Sequence, residues 1–453
     1  MNNTKQLGED SILRLLIRYS VPATIGMLVH ALYNVVDRIF IGNGVGALGI
    51  AGITISFPII LVGIAFGVLI AIGATSLISI RLGEGKHDEA EQIMGNAIVL
   101  LIGGGMATGG FGLMFLEPLL RLLGASEAVL PYARDYMQII LWAFVFQSIS
   151  FGMNNFIRAQ GEPKIAMATM LIGAILNVIL DPIFIFGFGW GVRGAAIATI
   201  LAQAVSAAWV LRFFFSGRSI LRIRRSYLRL NFKIVLGIVA IGFAPFTMQL
   251  AASLLNVILN RSLNLYGGDI AVSGMGIVTS LMTLMLMPVF GISQGAQPII
   301  GYNYGAQKFD RVKESLKYAI LFATAIVFVG FLATRLYSTE LIAMFNRNDA
   351  DLLAFGTRAL RLFLLFMPAI GFQIIGAQYF QAIGKPKLAM LLSLSRQVLV
   401  LIPALLILPR FFGLNGVLMA GPVADLTSFF ITAIWLIMEL RSLDVKHQAV
   451  YAR

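Results

Sequence analysis

The chain has 453 residues, 58% of them hydrophobic and 12% charged, against roughly 25% charged in an ordinary soluble domain. That composition excludes a soluble globular protein, and the absence of cysteine excludes a disulfide frame or a thiolate metal site. The formal net charge of +13 would suit nucleic acid, but its distribution along the chain argues for a membrane surface instead.

Apolar runs of about 20 residues or more recur along the whole length, which predicts an all-α membrane protein. Twelve spans are expected, at roughly 12–39, 50–78, 91–117, 130–157, 165–186, 193–215, 234–263, 271–298, 314–335, 356–382, 388–409 and 414–438. Nothing ahead of the first span reads as a cleavable signal peptide.

The first span carries His30, Tyr33, Asn34 and Asp37 at i, i+3, i+4 and i+7, one polar stripe on an otherwise aliphatic helix. A carboxylate near the bilayer centre costs about 2.5–3.5 kcal/mol on insertion scales, so it must face a cavity, find a partner or exchange a proton. Pro22 lies in the same span, where ion binding at Asp37 can be relayed as a bend. The turns 83–92 and 305–313 read as helix starts with Asp88 and Asp310 as N-caps.

The fourth span begins with Tyr136, carries Gln147 and Asn154 at i and i+7, and ends with Arg158 at the interface. In the fifth, Asn177 and Asp181 share a helical face, and Pro182 frees the carbonyl of Val178. The sixth adds Thr199, Gln203 and Ser206 at i, i+4 and i+7. Two carboxylates, an amide oxygen and a hydroxyl are hard ligands for sodium, or for protons shared between two acids. The competing reading is a static hydrogen-bond network between helices, with Arg38 and Arg193 as the only candidates to pair the acids.

A basic linker, 216–232, separates an N-terminal six-helix lobe (1–215) from a C-terminal one (233–453), and is expected to lie along the membrane surface. At an offset of 222 residues the halves align: Asn34 on Asn256, Gly73-Ala74 on Gly295-Ala296, Gly83 on Gly305. With six spans per half this is a parallel duplication, predicting two lobes around a central cavity. The second lobe lacks the first acid, because Leu259 stands where Asp37 does. Its seventh span still carries a polar stripe, Gln249, Ser253, Asn256 and Asn260, and its eighth is rich in methionine (Met275, Met282, Met285, Met287). Asp425 is its only deep acid, with Arg396 the expected ion-pair partner. Twelve spans put all ten lysines on the side of both termini, which is the cytoplasmic side by the positive-inside rule.

With these features the chain resembles the multidrug and toxic compound extrusion (MATE) family, in its DinF-like and MepA-like bacterial branch. The resemblance rests on the six-plus-six spans, the duplicated glycine turns, and the first-span aspartate after Tyr33-Asn34. It implies a cation site at Asp37, Asn177, Asp181 and Thr199, a helix-bending role for Pro22, and cavity positions at His30, Tyr33, Tyr136, Asn154 and Met170. No glutamate lies between Phe246 and Asn264, unlike NorM-like members, so a second cation site is not expected. Asn34, Gln147, Gln203, Asn256 and Met282 complete the expected substrate wall.

The combined reading is a monomeric antiporter of the bacterial cytoplasmic membrane. It exports amphipathic, cationic organic compounds in exchange for H+ or Na+ by alternating access and uses no cofactor. The alternative is a flippase for lipid-linked oligosaccharides. An intramembrane enzyme has little support: His-Glu-x-x-His does not occur, and the one Gly-x-Ser-x-Gly run, Gly291–Gly295, lies inside an apolar span rather than at a strand-to-helix turn.

Overall fold

A computed structural model describes residues 3–345 and 349–451, apart from the side chains of residues 3–4, 34–35, 38, 47, 269, 446 and 449–451. No strand occurs among the described residues. The helices of the first half are α1 (Asn3–Glu9), α2 (Ile12–Val45), α3 (Ala47–Gly83), α4 (His87–Met114), α5 (Leu116–Leu122), α6 (Leu130–Ala159), α7 (Pro163–Pro182) and α8 (Gly191–Phe215). The second half contains α9 (Phe232–Gly305), α10 (Phe309–Leu336), α11 (Ser338–Ala343), α12 (Ala350–Phe363), α13 (Met367–Ala382), α14 (Pro386–Leu394) and α15 (Ile402–Tyr451). Two π-helical segments, Ile183–Gly187 and Ser395–Leu401, follow α7 and α14.

Ten helices among the described residues are long and apolar enough to cross a membrane, or eleven when the pair α12 and α13, bent by 49°, counts as one span. The count falls short of the twelve expected because Pro386–Val445 runs on as a single apolar stretch of 60 residues. A straight helix of that length would measure about 90 Å, some three times the hydrocarbon core. Gly413 breaks it with a left-handed backbone (φ 54°, ψ −134°) that favours glycine. The ion pair between Arg396 and Asp425, 29 positions apart, requires the chain to double back there. Gly268 (φ 66°) interrupts α9 in the same way.

Packing divides the chain into two compact units, 1–9 with 25–246 and 10–24 with 247–453. The cut therefore does not fall at the linker. The start of α2 belongs to the second unit, and the start of α9 belongs to the first. The repeated glycines explain why. A methyl group on Gly73 would lie 2.0 Å from the carbonyl oxygen of Ile238, and one on Gly295 would lie 2.7 Å from the backbone nitrogen of Ser20. Each glycine lets the exchanged segment pack backbone to backbone, where a side chain would hold the helices apart.

The expected N-caps are displaced. Lys86 and Lys308 occupy the cap positions of α4 and α10 without a side-chain cap bond. Asp88 and Asp310 sit within the first turn, where negative charge suits the helix dipole, and pair with Arg224 (3.4 Å) and His447 (3.0 Å). The cap of α12 is conventional: the Asp349 carboxylate accepts from the Leu352 N–H at 3.0 Å.

The linker is strapped to α4 and α6 within the first unit. Gln160 Oε1 accepts from Ser219 Oγ (2.8 Å) and from the Ile220 N–H (2.9 Å). Glu91 accepts the Arg222 N–H and pairs with Arg224, each at 2.9 Å or less. Asn96 accepts the Asn231 N–H at 2.7 Å and donates to the carbonyls of Tyr227 and Arg229. These pins carry backbone groups that would otherwise need water.

Candidate functional site

The site is built on the hairpin of α7 and α8. Its helices approach closely at Gly173, where an added methyl would lie 2.6 Å from Ser206 Oγ. One turn along α7 from that contact, and two turns back along α8, Asn177 meets Thr199. The Asn177 amide donates to Thr199 Oγ1 and to Asp181 Oδ1, both at 3.4 Å, and Thr199 donates to the Ala195 carbonyl at 3.0 Å. From α2, the Asp37 carboxyl comes within hydrogen-bonding reach of Asp181. All four residues lie in the first unit.

Asp181 is 0% exposed, Asn177 1% and Asp37 9%. Asp181 Oδ2 and Asn177 Oδ1 have no hydrogen-bond partner among the described residues. The neighbourhood is thus rich in oxygen lone pairs and poor in donors. Two acids facing each other away from water repel, and a proton or a metal cation between them offsets that repulsion. The donor set of two carboxylates, an amide oxygen and a hydroxyl fits a hard monovalent cation. No group of three or more His, Cys, Asp or Glu side chains converges among the described residues.

Arg193 does not pair with these acids. Its guanidinium donates to Asp135 Oδ1 at 2.8 Å. The side chains of Arg38 and Asn34 lie outside the described residues. Arg158 is buried and donates to Asn155 Oδ1, where the sequence reading put it at the interface.

The expected substrate positions divide into open and packed ones. His30 is exposed and stacks edge-on against Tyr33, with ring centroids 4.8 Å apart. Gln147, Gln203 and Met282 are half-buried, and Asn256 is exposed with its amide turned back to the Ala252 carbonyl. Met170 packs on α2, its sulfur 2.6 Å from where a methyl on Gly26 would stand. Tyr136 lies in a buried core with Ile41, Leu120, Met137, Phe144 and Ile185. Asn154 donates to the Ala166 carbonyl at 2.6 Å, tying α6 to α7. Pro22 is buried in α2, three positions before the residue at which that helix passes into the first unit.

In the second unit Asp425 is 1% exposed and accepts from Arg396 Nε at 2.7 Å, the pairing its sequence context suggested. The polar pins of the strap, Glu91, Asn96 and Gln160, escaped sequence reasoning. They belong to no stripe, and only the strap's free backbone groups could have signalled them.

The MatE family model matches this chain twice, at residues 22–183 and 244–406. The two matches begin 222 residues apart, the offset of the internal repeat, and cover well over half of the chain. A multidrug export protein MepA of Staphylococcus haemolyticus is 28% identical over 436 residues, which span 96% of this chain and 95% of that protein. The solved structure of the MATE multidrug transporter DinF-BH, determined as a complex, superposes with a TM-score of 0.89 at 40% identity, covering 95% of this chain and 96% of that one. A crystal structure of a MATE protein in the bent conformation matches with a TM-score of 0.92 over 99% of both chains, at 24% identity, and so speaks for the fold alone. A duplicated helical bundle with paired buried acids, matched along its whole length in this way, places the chain in the MatE family of membrane transporters.

Proposed function

We propose that the protein is a secondary antiporter that exports amphipathic, cationic organic compounds in exchange for H+ or Na+ by alternating access. The observation that carries this reading is the facing pair Asp37 and Asp181, with the oxygens of Asn177 and Thr199 beside it. Entry of the coupling ion offsets the repulsion of the two acids. Because an ion can drive the cycle only through its different affinity for two facing states, the pair must be better arranged for the ion in one of them. His30, Tyr33 and Gln147 contribute to the drug-binding wall, and aromatic faces suit planar cations. Pro22 supplies the bend in α2. The lysine-bearing side, with both termini, is cytoplasmic. Support also comes from the MepA and DinF-BH relatives, a multidrug export protein and a multidrug transporter, which favour export over lipid flipping.

The test is ethidium efflux from proteoliposomes under a proton gradient and, separately, a sodium gradient, with wild type beside Asp37→Asn. Transport under one gradient, lost in the variant, is expected and names the ion. An Asp37→Asn protein that exports at the wild-type rate under both gradients would overturn the reading.

A further inference from the structure

The second unit contains a second polar feature, unconnected with the acid pair. On α15, Asp425, Ser428, Thr432 and Glu439 are spaced by three, four and seven residues and so share one face. All four are buried. At 1.5 Å per residue the face runs about 21 Å from Asp425 to Glu439. Opposite it on α13 stand Gln373, Gly376 and Tyr379, each three residues from the next. Three contacts fix the register of the two helices. The rings of Phe372 and Phe429 lie 4.9 Å apart. A methyl on Gly376 would stand 2.4 Å from Thr432 Cγ2. Lys385, just beyond α13, donates to Glu439 Oε2. The third wall is the π-helical segment Ser395–Leu401, which carries Arg396, bonded to Asp425, and the buried Gln397. Gln373 Nε2 ties α13 to α14, just ahead of that wall, by donating to the Leu392 carbonyl at 3.0 Å.

Four buried atoms along this column have no hydrogen-bond partner among the described residues: Gln397 Oε1, Thr432 Oγ1, Tyr379 Oη and Glu439 Oε1. Leaving a buried polar atom unsatisfied is costly, and the great majority of such atoms are satisfied. Four in one column, capped by an ion pair at each end, call for a shared partner that both donates and accepts. A metal cation is disfavoured, because Arg396 and Lys385 place positive charge at both ends. Water meets the requirement, and buried waters typically make about three hydrogen bonds each to groups of this kind.

We propose that this column binds a file of ordered water and gives protons a route between the cytoplasmic surface and the Asp425–Arg396 pair. A proton entering at Glu439 is passed from oxygen to oxygen, each accepting one proton and releasing another. The carboxylate is regenerated behind it.

Radiolytic hydroxyl-radical footprinting of the full chain in lipid nanodiscs tests the water. Tyr379 and Phe380 are equally shut off from bulk solvent, at 1% and 0% exposure. Once each rate is divided by that of the free amino acid, radicals generated from bound water therefore oxidise Tyr379 faster than Phe380 in the wild type, and Thr432→Val with Glu439→Gln brings Tyr379 down to the normalised rate of Phe380. Equal normalised rates in the wild type, which needs no variant to fold, overturn the water file. The proton route is read from exchange of the Arg396 guanidinium protons for deuterium in the full chain, which Glu439→Gln is expected to slow on the order of tenfold or more. Unchanged exchange in that variant overturns the route. Neither readout depends on export, so a failure of the antiporter reading and a failure of the column are told apart.

Discussion

Each unit buries an acid inside a membrane span, and the two acids are treated in opposite ways. Asp425 has a guanidinium at 2.7 Å. Asp181 has instead a second acid and an amide that already donates to it from 3.4 Å. A paired charge is satisfied within the protein, so removing either partner strands the other. An acid that faces an acid is relieved only when a cation or a proton is brought in from outside. The first arrangement supports a fold, and the second suits a cycle of ion uptake and release. The repeat shows that this difference is a departure from symmetry, since Leu259 occupies the position of Asp37 in the second half.

The comparison can be broken most decisively at the acid pair. If Asp37 and Asp181 share one ion, as the antiporter reading has it, Asp37→Asn and Asp181→Asn should each abolish export, and the double variant should be no worse than either. A transport-based double-mutant cycle checks this, and partial losses that simply add would refute the shared site. Next in size, Asp425→Asn should lower the stability of the protein by about 3–5 kcal/mol by leaving Arg396 buried and unpaired. Replacing both partners, Arg396→Met with Asp425→Leu, should restore most of that loss in thermal unfolding. If the double variant melts with the single one, the pair is more than a compensated charge. Smaller again, Thr199→Val keeps the shape of the side chain but removes the oxygen that receives the Asn177 amide. At about 1 kcal/mol for such a bond, the ion concentration for half-maximal export should rise roughly fivefold.

The smallest effect is expected at an exposed pair. Arg121, hydrogen-bonded to Glu127, holds that carboxyl below its ordinary range. The sign follows from linkage: the contribution is present above the ordinary carboxylate pKa and is lost as pH falls through the lowered one. Because the pair is fully exposed, Glu127→Gln should leave the neutral-pH melting temperature unchanged within error.

The spans and the first-helix stripe were legible because apolar and polar residues contrast most sharply in a membrane sequence. Asn177, Asp181 and Thr199 could be grouped because two of them share a helical face and the third adds a hydroxyl from the next span. Other features turn on which partner a residue meets. Arg193 and Asp135 lie 58 positions apart, and only packing decides that the arginine chooses this acid. The family resemblance implies a cavity position for Asn154, yet its amide is committed to the Ala166 carbonyl. The mixed membership of α2 and α9 was hidden for a different reason. It depends on bare backbone meeting bare backbone at Gly73 and Gly295, and a glycine in a span gives no sign of what approaches it.

That mixed membership has a consequence for how the chain is made. Residues 10–24 leave the ribosome well before the residues from 247 onwards with which they pack. At about 5–20 residues per second they wait ten seconds or longer in the lipid before their partners arrive. A gene cut at the linker would therefore yield two incomplete products, each carrying a half-helix that the other needs. Only co-expression, with both pieces present in one membrane, would let the halves complement each other.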